Sequence, residues 1–139
     1  MVEFSRTALI LEDEPLVVEV FRKVLQNNGF VVLAAETAEA ALRWYNDHKL
    51  RIALIIADII LPGASSGTDA VLQIRSTRPD VPVLFISGTP PDAWSTEDSQ
   101  NVAALPMGSY SLLQKPFTVQ TLMDAIEELL SRKASLQTV

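Results

Sequence analysis

Cysteine is absent from the 139 residues, which removes disulfides, thiolate nucleophiles and cysteine-ligated zinc together. Histidine occurs once, at His48, and Lys and Arg form no run. The formal net charge of −6 argues against nucleic acid as a direct partner. No apolar run approaches the ~20 residues of a membrane span. Met1–Arg6 holds no basic segment leading into an apolar one, so no secretory signal is expected. Glycine and proline, at 5 and 8 residues, are too few for a linker or low-complexity chain. The expectation is one cytoplasmic domain over 1–139, without membrane insertion. Its core runs from about 7 to 132, and 134–139 form a frayed tail.

Hydrophobic substance is plentiful, at 48%, enough for one real core. It is gathered into short runs. Thr7–Leu11, Phe30–Ala35, Arg51–Ala57, Val81–Ile86 and Ser109–Gln114 read as five strands, the third a continuous apolar run of the kind buried on both faces. Between them lie segments of helical periodicity. Leu16, Val17, Val20, Phe21, Val24 and Leu25 mark the inner face of a helix opened by Pro15 and stopped by Asn28-Gly29. Thr37 and Thr118 are N-caps, the second for a helix with Val119, Leu122, Ile126 and Leu129 inward. Gly67-Thr68 leads into a helix that stops before Pro79. From Thr89 to Met107 the apolar spacing is poor, and a short or irregular helix with Trp94 as an exposed anchor is expected. Strand and helix alternate five times, which predicts an α/β, doubly wound parallel sheet.

Polar chemistry collects at the strand ends. Glu12-Asp13 follow the first strand, Asp58 the third, Ser87 the fourth and Lys115 the fifth. A parallel sheet brings these carboxyl ends to one edge. Clustered carboxylates repel unless a cation neutralises them, and an all-oxygen set without His or Cys favours a hard ion, Mg²⁺ by preference, with Mn²⁺ as a substitute. A lysine and a hydroxyl facing the same cluster suit a ligand with several anionic oxygens. A phosphoryl group fits, with Asp58 as its acceptor.

On these residues the chain resembles the receiver domains of two-component response regulators. The carriers are Glu12-Asp13, Asp58 with Pro62 and Gly67 beyond it, Ser87-Gly88, and Lys115-Pro116-Phe117, in family order. The resemblance implies a flavodoxin-like (βα)₅ fold with strand order 2-1-3-4-5. It implies that Asp58 accepts phosphoryl from a histidine kinase or exchanges it with a histidine phosphotransfer protein. Asp13 and Asp58 would ligate Mg²⁺ directly, Glu12 through water, and Ile60 through its backbone carbonyl. Lys115 would bridge to the phosphoryl oxygens, and Ser87 would bond them in the active state. The protein would be a single-domain signalling switch, not an enzyme acting on other substrates, and would hand its signal to a downstream protein not identified by the sequence.

Three departures stand out. Leu112 occupies the position of the family's switch aromatic, with Tyr110 two residues earlier, so switching is expected to use Ser87 and loop rearrangement. The span from Ser87 to Lys115 is long. Ile60 and Thr89 hold the positions that tune phosphoryl loss, and an apolar Ile60 predicts slow self-dephosphorylation. Two alternatives fit the same residues: a non-phosphorylated pseudo-receiver that acts only as an interaction module, and a Mg²⁺-dependent phosphohydrolase with Asp58 as nucleophile.

Overall fold

The apolar runs become one five-stranded sheet: β1 (Arg6–Leu11), β2 (Phe30–Ala35), β3 (Ile52–Asp58), β4 (Val83–Ser87) and β5 (Tyr110–Gln114). The helices are α1 (Pro15–Asn27), α2 (Ala38–His48), α3 (Gly67–Thr77), α4 (Thr96–Ala103) and α5 (Val119–Gln137), with a 3₁₀ turn at Pro91–Ala93. The computed structural model describes residues 6–63 and 65–137, with side chains through residue 132. All pairings are parallel, and the order β2-β1-β3-β4-β5 is the flavodoxin-like one expected.

Alternation along the inner strands divides the core into two layers. Ala8, Ile10, Leu54, Ile56, Leu84 and Ile86 face α1 and α5, packing with Phe21, Leu25, Leu122 and Ile126. Leu9, Leu11, Ile55, Ala57, Val83 and Phe85 face the other side, where Ala41, Tyr45, Val71, Ile74 and Val102 cover them. The caps form as their sequence suggests: Thr37 Oγ1 accepts from the Ala40 N–H at 3.1 Å and Thr118 Oγ1 from the Thr121 N–H at 3.0 Å.

Several boundaries and faces differ from the sequence reading. Pairing in β4 begins at Val83, because Pro82 has no N–H to give; its carbonyl still accepts from the Ile55 N–H at 3.0 Å. The segment read as a frayed tail continues α5 to Gln137, since Lys133-Ala134-Ser135-Leu136 holds no breaker; residues 138–139 lie outside the described residues. Leu16 is 83% exposed, and Val20 and Val119 are also open. Periodicity identified the apolar side of α1 and α5, but no described residue covers Leu16, Val20 or Val119 in their opening turns. An apolar groove of about 530 Å³ remains there, lined by Leu16, Val17, Val20, Phe117 and Val119 beside Lys115. Its floor is held by Phe21 and Phe117, stacked at 5.6 Å.

Candidate functional site

The chain runs from β1 outward to β2, then crosses back to β3 on the other side of β1. A crevice opens at such a reversal, beyond the carboxyl ends of the strands. The register sets its contents. Leu11 pairs with Ala57, Asp58 with Ile86, and Ser87 with Gln114, so Glu12, Asp58, Ser87 and Lys115 emerge at one edge.

Lys115 is the hub. Its Nζ donates to Asp58 Oδ2 at 2.9 Å, Glu14 Oε1 at 3.0 Å and Glu12 Oε1 at 3.1 Å. Glu12 is 1% exposed and Asp58 6%. Burial, reinforced by the negative charge of Asp58, pushes the Glu12 carboxyl up to about 7, and Lys115 offsets this only in part. Burial alone would pull the Lys115 ammonium down; its hydrogen bonds to Asp58 and Glu14 and the Asp58 charge outweigh that and hold it above the ordinary lysine range. Asp58 Oδ1 accepts the Ile60 N–H at 3.0 Å. The peptide bond between Lys115 and Pro116 is cis.

Glu12, Glu14 and Asp58 each bring a carboxylate oxygen within 4.8 Å of the others. Glu12 Oε2 is buried and has no hydrogen-bond partner among the described residues. Three converging carboxylates, one of which also carries an orphaned oxygen, form a donor set that suits a hard divalent cation. Asp13 is exposed and stands outside this group, and Glu14 takes a place beside Lys115 that the sequence reading did not give it. A signal for this was present: a residue before proline is held extended, and Glu14, at φ −87° and ψ 112°, is turned off the face of α1.

Gly67 secures the other side of Asp58. A Cβ at Gly67 would lie 1.9 Å from the Asp58 carbonyl oxygen, so only glycine lets α3 start this close to β3. Its first turn is closed by a capping box between Ser66 and Asp69. Ile60, 59% exposed, stands at the mouth of the crevice.

Toward α4 the contacts are polar. Ser87 Oγ donates to the Thr89 carbonyl at 2.7 Å and accepts the Thr89 N–H at 3.1 Å. Trp94 is half-buried, not the exposed anchor expected, and its indole N–H reaches Ser87 Oγ at 3.2 Å and the Thr89 carbonyl at 3.1 Å. Leu112 is 46% exposed. Tyr110 packs edge-on against Phe85, with ring centroids 6.0 Å apart, on the layer below.

The family model described as the response regulator receiver domain matches residues 8–127. The chain is 32% identical over 126 residues to the transcriptional regulatory protein CssR of Bacillus subtilis (strain 168), covering 91% of this chain and 52% of that protein. It is 27% identical over 129 residues to the sensor kinase CckA of Brucella abortus (strain 2308), covering 93% of this chain and 13% of the kinase. The chain thus spans about half the length of these curated relatives or less. Among solved structures, a response regulator receiver domain protein from Clostridium thermocellum superposes with a TM-score of 0.74 at 26% identity, covering 94% of this chain and 98% of that one. An acid-lined crevice at the switch point of a 2-1-3-4-5 sheet, closed by a lysine just past the last strand, is shared ground between geometry and likeness, and the chain belongs to the response regulator receiver domain family of two-component systems.

Proposed function

We propose that the domain is a phosphoryl-accepting switch in which Asp58 takes a phosphoryl group from the phosphohistidine of a kinase or a histidine phosphotransfer protein. The observation that carries this reading is Lys115 bound at once to Asp58, Glu12 and Glu14 across the crevice. A lysine so placed neutralises the acceptor carboxylate at rest and lies within reach of an oxygen added to it. One oxygen of Asp58 forms the new bond to phosphorus as the bond from phosphorus to the imidazole nitrogen breaks, and the nitrogen keeps that electron pair. The three equatorial oxygens then need donors; Lys115 offers its ammonium and Ser87 its hydroxyl.

The residues that would hold Mg²⁺ are Glu12, with its unpartnered oxygen, and Asp58; family membership adds Asp13 and the Ile60 carbonyl. Bound there, the ion would supply charge neutralisation for the phosphoryl oxygens. The apolar rim of Leu16, Val20, Phe117 and Val119 beside Lys115 suits a helix carrying the donor histidine, since such a helix buries an apolar stripe against its partner.

Incubation with Mg²⁺ and acetyl phosphate, read by intact mass, tests the assignment. One phosphoryl group is expected on the wild type and none on Asp58→Ala; labelling that survives the substitution overturns it. Ile60, two residues past Asp58, brings an aliphatic side chain that cannot orient water, so the acyl phosphate is long-lived. Ile60→Asn shortens its half-life several-fold in the same assay, with Thr89 two residues beyond Ser87 as the second position at which the rate is set.

A further inference from the structure

A serine hydroxyl has one proton to donate. At rest Ser87 spends it on the Thr89 carbonyl, while its oxygen accepts from the Thr89 N–H and from the indole of Trp94. That indole N–H is shared, with the Thr89 carbonyl as its second acceptor at 3.1 Å. If Asp58 is the acceptor proposed above, on which this inference rests, Ser87 must turn its proton toward the new phosphoryl oxygen. The Thr89 carbonyl then loses a donor, and the nearest replacement is the Trp94 N–H already beside it.

We propose that Trp94 is the positioning residue that reads Ser87: its indole exchanges a shared hydrogen bond for one to Thr89 alone, and the ring moves with it. Space for that motion exists. Trp94 lines a hollow of about 180 Å³ with Phe85, Pro91, Leu112 and Leu113. The aromatic ring over Leu112 therefore comes from the segment between β4 and α4 instead of from β5. Trp94 also precedes Ser95, whose Oγ accepts the Asp98 N–H at 3.0 Å and caps α4. A displaced indole pulls on that cap. Little apolar packing resists, because α4 is held to α3 by hydrogen bonds among Thr68, Asp98, Asn101 and Asp69.

The chain has two tryptophans, so 5-fluorotryptophan gives two ¹⁹F resonances, assigned with Trp44→Phe. Trp44 is a surface residue bonded to the Ala34 carbonyl, away from the crevice. With Mg²⁺ and acetyl phosphate, the Trp94 resonance is expected to shift in step with labelling by intact mass while the Trp44 resonance stays. In Ser87→Ala at matched labelling the Trp94 shift is lost. In Trp94→Phe at matched labelling, the phosphorylation-linked change in α4 amide exchange is lost. Full labelling with a stationary Trp94 resonance, or a shift that persists in Ser87→Ala, overturns the inference and leaves the acceptor assignment standing. No labelling of the unaltered chain overturns both.

Discussion

Glu12 Oε2 is the atom with most to gain from a cation. A buried oxygen without a partner costs the fold on the order of 1–3 kcal/mol, and here it belongs to a carboxylate already facing Asp58. Glu12→Gln removes the charge that faces Asp58, against the loss of the ion pair with Lys115, so it is expected to stabilise the metal-free protein by about 1 kcal/mol or less in urea unfolding and to weaken its response to Mg²⁺. The same residue sets a pH dependence. Its folded-state value of about 7 lies above the ordinary 4.5, so between those pH values the folded chain holds the proton that the unfolded chain releases. Stability of the metal-free wild type therefore falls as pH rises through that window. Denaturant melts in EDTA across that range measure the slope, which Glu12→Gln flattens.

Among the elements, α3 and α4 are docked by opposite means. Helix α3 presses on the Asp58 backbone through Gly67, and buried Arg75 donates to the Val81 carbonyl at 2.9 Å and the Ser109 carbonyl at 3.3 Å. Adding a methyl at the first of these sites meets backbone, not a yielding side chain. Gly67→Ala is expected to cost about 3 kcal/mol or more and to disturb labelling of Asp58, read by thermal unfolding and intact mass. Helix α4 is short, with Val102 as its buried aliphatic residue and Leu105 just past its end. Asn101 ties it to Thr68 at 3.0 Å and Asp69 at 2.9 Å. Deleting that link in Asn101→Ala is expected to raise amide exchange in α4 by about tenfold or more, near the net worth of its two hydrogen bonds, with α3 protection retained.

For the molecule as a whole, Mg²⁺ bound in the folded crevice as proposed would be linked to unfolding. At a concentration 100-fold above Kd the gain is about 2.7 kcal/mol, and EDTA reverses it; calorimetry with and without chelator reads the difference. The same scale explains what was legible in advance. The strands were visible because each apolar run stops at a polar residue, and the parallel order followed from helices between them. Asp58, Ser87 and Lys115 were placed because register aligns strand ends. What escaped depended on side-chain direction or on coverage. Glu14 reaches Lys115 at the rim through the backbone set by Pro15, and Trp94 finds Ser87 only along the path of Pro90-Pro91. Leu16, Val20 and Val119 are apolar on the expected side, but periodicity says nothing of whether another element lies over it.

The contact at Gly67 has a mechanical meaning. Asp58 sits in a vise with one fixed jaw: backbone meets backbone on the α3 side, with no void to yield into. On the other jaw stand a hydroxyl, a shared indole bond and a hollow. If Asp58 takes on bulk as proposed, the push is thereby rectified, and the message would leave the crevice by the side that can give.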